Sequence, residues 1–247
     1  MNIAICLRGI HYEYSNIRNV NYKKSLLNYK KFIFDNLKEN GNNIYTFITT
    51  YHTELENELI NDFKPNNIIL NNYNINDSAY IIYLTQYIEL IDMVINDEIK
   101  LGIKYDSIII FRFDCMFFKY ISEMNIDYNK FNICMKHSSG NADADFWIIP
   151  RNYLEKVRDI LNNKLEANKT QDIPDFTLNS MNRFIDKDII HYMYNIDETD
   201  YNNGTCDQYY YIIGSSHSFV RPLRDVVYSL NQYKNANIDS NYLKFEF

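Results

Sequence analysis

Apolar positions along the first half of the chain switch between the two periods that mark strands and helices. Asn2–Leu7 (NIAICL) is a short apolar run ending at Arg8-Gly9, and it predicts a strand followed by a polar loop. Tyr22–Glu39 carries Leu26, Leu27, Phe32, Ile33 and Leu37 at helical spacing, with Asn40-Gly41 as its stop. Ile44–Thr50, rich in β-branched and aromatic residues, predicts a second strand. Leu55–Phe63 is expected to be a short helix ended by Pro65, and Asn67–Leu70 a third strand. Asp77 or Ser78 is placed to cap a long amphipathic helix reaching about Lys100 and closed by Gly102. Its apolar stripe would be Ile81, Leu84, Ile88, Ile91 and Ile95. Ser107–Phe111 then forms the most hydrophobic strand. The order β-α-β-α-β-α-β predicts an α/β fold with a mostly parallel, doubly wound sheet and right-handed crossovers.

The second half is less regular. Phe131–Lys136 and Asp145–Ile149 are short strand candidates, and Pro150–Leu161 is expected to be helical. Residues 162–182 are polar and carry no assignment. Ile189–Tyr194 and Tyr209–Ile213 are further strand candidates, Phe219–Tyr228 leads into a short helix, and the tail after Asn231 is expected to be loosely held. No solenoid-type repeat and no Pro/Ser-rich linker divides the chain, so residues 1–247 are read as one domain.

Composition narrows the functional classes. A length of 247 residues and 46% hydrophobic content allow a sizeable core. The net charge of −7 argues against a protein that binds nucleic acid by neutralising phosphates. The abundance of Asn, Ile and Tyr reads as AT-rich codon usage, so the 23 tyrosines say little about ligand stacking. With only 6 glycines in the chain, each one is more informative. Cys6, Cys115, Cys134 and Cys206 form no C-x-x-C pair, which leaves reduced thiols in a cytoplasmic setting as the simplest expectation. The N-terminus is interrupted by Arg8 too early for a signal peptide, and no apolar run reaches the roughly 18 residues of a membrane span.

In open parallel sheets, ligands bind beyond the carboxyl ends of the strands. Three predicted strands end in polar residues that would meet at that edge. These are Arg8-Gly9, Thr49-Thr50-Tyr51-His52, and Arg112-Phe113-Asp114. Arg112 and Asp114 are two apart and would share one face of an extended strand. An ion pair between them, or contacts to capping groups, is the bland alternative; burying such a pair seldom favours stability. A carboxylate at a strand end suits a divalent cation that bridges to phosphates.

The segments NIAICLRG, YDSIIIFRFDCMF and ADADFWIIPR resemble GT-A-fold glycosyltransferases, including those of large DNA viruses and algae. The resemblance spans roughly Met1 to Pro150, plus a possible piece near the C-terminus. It implies a single GT-A-like domain, with residues 1–118 as a Rossmann-like nucleotide-binding half and residues 119–247 as a mixed acceptor and metal half. It further implies a UDP-sugar donor, glucose or a relative as the transferred hexose, a sugar or glycan acceptor, and Mn²⁺ or Mg²⁺. Position 112 is Arg where Asp-x-Asp enzymes carry their first Asp.

By position, the resemblance assigns Asp114 to the metal. Arg8, Gly9 and Arg112 go to the nucleotide, its diphosphate or the sugar, and Thr49 and Tyr51 to uracil or ribose. His217 in IIGSSHSFVRP is the candidate second metal ligand, with Arg221 as a phosphate contact. An imidazole ligand would favour Mn²⁺ over Mg²⁺. Asp145 is the preferred general base, with Asp143 and Asp207 as alternatives, and Trp147 could stack on a sugar or belong to the core.

Other enzyme classes fit less well. No G-x-x-x-x-G-K-[ST] exists for a P-loop kinase, and no G-x-G-x-x-G follows the first strand for an NAD enzyme. A sugar-phosphate nucleotidyltransferase would want a Gly-rich phosphate loop with a following Lys. Glu98-Ile99-Lys100, a nuclease-like trio, falls inside a helix. The main alternative is a carbohydrate- or nucleotide-sugar-binding protein on a degenerate transferase scaffold.

Overall fold

The computed structural model describes residues 1–14, 19–72, 79–113, 115–117, 119–133, 146–169, 187–193 and 210–212. β1 (Asn2–Arg8) leads into a small hairpin of β2 (Tyr12–Tyr14) and β3 (Asn19–Asn21), where the sequence predicted only a polar loop. The first helical segment begins as α1 (Lys23–Tyr29), passes through a π-helical stretch (Lys30–Asp35) and ends as α2 (Asn36–Glu39). The wider π turn shifts the buried face along the segment. Phe32, Ile33, Phe34 and Leu37 are all buried, whereas Leu27, expected in the apolar stripe, is 59% exposed.

β4 (Asn43–Tyr51), α3 (Glu56–Phe63), β5 (Asn67–Asn71), α4 (Ala79–Leu101) and β6 (Ser107–Arg112) follow in the predicted order. The buried face of α4 is turned from the predicted one. Leu84 and Ile91 are buried with Tyr87, Leu90, Met93 and Val94, while Ile81, Ile88 and Ile95 are only partly covered. After β6 come β7 (Cys115–Phe117), β8 (Phe131–Ile133), β9 (Phe146–Pro150), α5 (Leu154–Lys169), β10 (Ile190–Tyr192) and β11 (Tyr210–Ile212). α5 starts later than predicted, after a 3₁₀ turn at Arg151–Tyr153, and runs into the polar stretch that carried no assignment. Its apolar positions Val157, Ile160 and Leu161 pack on the sheet, and this tertiary contact carries a helix that is polar elsewhere.

One seven-stranded sheet has the order β10-β8-β9-β6-β1-β4-β5. Pairings β6–β1, β1–β4, β4–β5 and β10–β8 are parallel, and β9 runs antiparallel to both of its neighbours. The described residues thus form a single α/β domain on a mostly parallel sheet. β7 and β11 pair separately.

Period-two alternation divides the core in two. Ile3, Ile5, Leu7, Ile109 and Phe111 face α1, α2 and α3, whereas Ala4, Cys6, Phe47, Ile108 and Ile110 face α4 and α5. Trp147 belongs to this second core: it is fully buried, stacked on Tyr87 at 4.1 Å between ring centroids and edge-on to Phe131 at 5.3 Å. Of the two readings of Trp147, the core one holds, because both of its neighbours are core side chains.

The amino edge of the sheet is stapled. Glu98 on α4 is buried and accepts from Arg151 Nε at 2.7 Å, Arg151 Nη2 at 2.7 Å and the Tyr105 N–H at 2.9 Å. The Asn2 N–H donates to Asp106 Oδ2 at 2.7 Å, and the Arg151 N–H to the Asp106 carbonyl at 3.1 Å. Glu98 is therefore an anchor for α4, β6 and α5, not part of a nuclease trio, and Ile99 beside it is exposed.

Candidate functional site

Chain order and space order diverge at β1. From β1 the chain steps to β4 and then β5 on one side; α4 carries it back across the opposite face to β6 on the other side. This reversal makes the carboxyl edge between β1 and β6 the topological switch point, where open α/β sheets hold their ligands.

Arg8 and Arg112 stand there, directly paired in register on adjacent parallel strands. Counting by twos from Ala4, Cys6 and from Ile108, Ile110 puts both on the α4 side of the sheet. Arg8 is wholly buried, with its guanidinium carbon 4.3 Å from the Tyr87 ring centroid and 4.9 Å from that of Tyr83. Aromatic faces stabilise a cation that burial would otherwise disfavour. Arg112 is partly exposed at the end of its strand. Two guanidinium groups side by side concentrate positive charge in an otherwise acidic protein.

Thr49 is the register partner of Arg8 on the other flank. It is buried, its hydroxyl donates to Glu89 of α4 at 2.5 Å, and the Asn71 amide donates to the same carboxylate at 3.0 Å. Tyr51, two residues on, is also buried. Gly9 follows Arg8 with φ +96°, a backbone state that favours glycine and lets the chain turn sharply off the strand.

A chain of hydrogen bonds on the other face of the sheet fastens this turn. The Thr50 hydroxyl lies 2.7 Å from the Gly9 carbonyl and 2.7 Å from His11 Nδ1, and the Thr53 hydroxyl lies 2.7 Å from His11 Nε2. His11 is fully enclosed, and burial lowers its pKa from 6.5 to about 4, with the Glu56 charge opposing the shift. The sequence offered no signal for this role, since no partner of His11 lies near it in the chain.

β6 ends at Arg112, one residue before Phe113. Phe113 is already in the turn, buried, its N–H donating to the Arg8 carbonyl at 3.3 Å and its own carbonyl accepting from Ser25 at 2.7 Å. Asn28, one helical turn beyond Ser25, grips Phe117 through both backbone groups. Its amide donates to the carbonyl at 2.9 Å and its side-chain oxygen accepts from the N–H at 2.6 Å. The structure therefore gathers Arg8, Gly9, Thr49, Tyr51 and Arg112 at one edge. Asp114, Asp143, Asp145, Asp207, His217 and Arg221 lie outside the described residues. Among the described residues no group of three or more His, Cys, Asp and Glu side chains is arranged to hold a metal ion. No described helix is long and apolar enough to cross a membrane. The described cysteines, Cys6 and Cys115, are buried thiols outside any disulfide, and burial pushes the pKa of the Cys6 thiol far up.

No family model matches the chain, and no curated protein does. Solved structures do. A glycosyltransferase involved in the glycosylation of the major capsid of PBCV-1 aligns over 85% of this chain and 93% of its own, at 11% identity and a TM-score of 0.46. The glycosyltransferase GlyE of Streptococcus pneumoniae TIGR4 aligns over 81% of this chain and 46% of its own, at 10% identity and a TM-score of 0.40. Its apo form aligns over 72% and 42%, at 9% identity and a TM-score of 0.39. This chain thus spans less than half of the GlyE chains.

Proposed function

We propose that the protein is a glycosyltransferase that moves a hexose, glucose or a relative, from a UDP-sugar to a hydroxyl of a sugar or glycan acceptor. The observation that carries this reading is the Arg8–Arg112 pair in register at the switch point of the sheet. In the reaction the acceptor oxygen bonds to the anomeric carbon while the bond from that carbon to the diphosphate oxygen breaks. Negative charge develops on the departing UDP, and fixed cations aimed at it lower the barrier. Arg8 and Arg112 would supply that charge, with Arg221 as a further phosphate contact. The Gly9 turn leaves room for close approach of the diphosphate to the backbone, and Thr49 and Tyr51 would underlie the nucleoside. Asp145 would take the proton from the acceptor hydroxyl, with Asp143 and Asp207 as the other candidates.

A divalent cation, Mn²⁺ or Mg²⁺, would neutralise part of the diphosphate charge when bound. Asp114 and His217 would hold it, since the half-buried Glu89 carboxylate is already bonded to Thr49 and Asn71. A carboxylate with an imidazole favours Mn²⁺.

The test is a screen of nucleotide sugars for slow Mn²⁺-dependent hydrolysis, joined to thermal unfolding with UDP. UDP is expected to raise the unfolding temperature in the presence of Mn²⁺ and not in its absence. Asp114→Ala should abolish that shift, while Asp145→Ala should keep it and lose sugar transfer. Absence of any shift with UDP and Mn²⁺ would sink the reading. A UDP shift with neither hydrolysis nor transfer would instead favour a binding protein on a transferase scaffold.

A further inference from the structure

His11 contacts two of the three strand ends at the candidate site, through Thr50 and Phe113, and reaches the third, Gly9, through the Thr50 hydroxyl. The Thr50 hydroxyl has a single proton and two close neighbours, the Gly9 carbonyl and His11 Nδ1, both at 2.7 Å. A carbonyl oxygen can only accept, so the proton goes to Gly9. Nδ1 must then carry a hydrogen and donate to Thr50. His11 is neutral, so Nε2 is the acceptor, and the Thr53 hydroxyl donates to it at 2.7 Å. Thr53 in turn accepts the Leu55 N–H at 3.2 Å. The chain of donors therefore runs one way, from the start of α3 to the Gly9 carbonyl. Because the peptide is planar and trans, fixing the Gly9 carbonyl also fixes the Ile10 N–H, pointing away from Thr50.

The imidazole ring contacts the third strand end. Its centroid is 5.8 Å from that of Phe113, the residue after Arg112, and 5.9 Å from Tyr22. Phe113 in turn donates its N–H to the Arg8 carbonyl. One side chain thus bears on the residue following Arg8 and on the residue following Arg112. It lies across the sheet from the face that both arginines share.

We propose that His11 is the positioning residue of the donor site: through Thr50 it sets the Gly9 turn, through its ring it sets Phe113, and so it fixes Arg8 and Arg112 for one diphosphate. This rests on the donor-site reading above. Its test uses the full chain with UDP and Mn²⁺ as the probe. Thr50→Val keeps the shape of the side chain and removes the relay, whereas Thr50→Ser keeps the hydroxyl. Thr50→Val is expected to weaken UDP binding about tenfold, and Thr50→Ser to stay within about threefold of the wild type, both measured where circular dichroism shows them folded. Nitrogen NMR of the imidazole should show the Nδ1–H tautomer in the wild type. Wild-type affinity in Thr50→Val, or an Nε2–H tautomer, overturns the positioning role and leaves the donor-site reading standing. A wild type that does not bind UDP with Mn²⁺ overturns that reading and this inference together.

Discussion

His11 illustrates how burial makes a residue pH-sensitive. The unfolded chain binds a proton on this imidazole near its ordinary pKa of 6.5, and the folded chain resists until about pH 4. Between those values the unfolded state holds more protons, so stability falls as pH drops. The contribution is full above pH 6.5 and declines by about 1.4 kcal/mol per pH unit down to the folded pKa. Urea denaturation across that window should show a steeper loss for the wild type than for His11→Phe, which keeps a ring in the same space. Equal slopes would show that the imidazole is not held neutral. Arg8 makes a parallel point: an Arg on an apolar strand reads as a strand end in the sequence, and its stacking on Tyr83 and Tyr87 exists only once α4 crosses the sheet.

At the scale of elements, α1 does more than cover one face of the sheet. Ser25 and Asn28 are buried polar residues in an otherwise apolar helix face, and they bond the backbone of Phe113 and Phe117 respectively. A buried N–H or carbonyl left without a partner costs roughly 1–3 kcal/mol. Asn28→Ala removes both of these hydrogen bonds to Phe117 and is expected to lower stability by about 2 kcal/mol, measured as a fall in the urea midpoint. Asn28→Asp returns an acceptor for the N–H and should recover part of the loss. An unchanged midpoint in Asn28→Ala would mean that the helix does not clamp this segment. The hairpin β2–β3 and the π-helical stretch escaped the sequence reading for a common reason. Neither has a strong local period: the hairpin strands are three residues long, and the π turn is a local widening between ordinary helical turns.

Across the whole molecule, the two edges of the sheet are built differently. The amino edge is tied by the buried Glu98–Arg151 pair and the Asp106 contacts, and the carboxyl edge carries the arginines, the Gly9 turn and the His11 relay. Glu98→Ala leaves Arg151 without its bidentate partner and the Tyr105 N–H without its acceptor, at a cost of about 3 kcal/mol. Its urea midpoint should fall, while UDP affinity at temperatures where it stays folded should match the wild type. A parallel loss of affinity would show that the two edges are not independent. The separation follows from the parallel sheet itself, which collects the turns after the β1, β4 and β6 strands on one edge and leaves the other for structural staples.

Local chemistry was enough to determine the β-α-β-α-β-α-β order, the strands Asn2–Leu7 and Ser107–Phe111, and the convergence of Arg8, Thr49 and Arg112. Each depends on the period of apolar residues along the chain and on where a strand stops, and both are properties of neighbouring residues. The reversal of β9, the turn of α4 about its axis, the burial of Trp147 and the two-sided grip on His11 were decided only by the tertiary structure. Those depend on which surfaces meet across the sheet, a contact between residues some 40 to 100 positions apart. The sequence could therefore say that two arginines reach the carboxyl edge of the sheet, but not what holds them there.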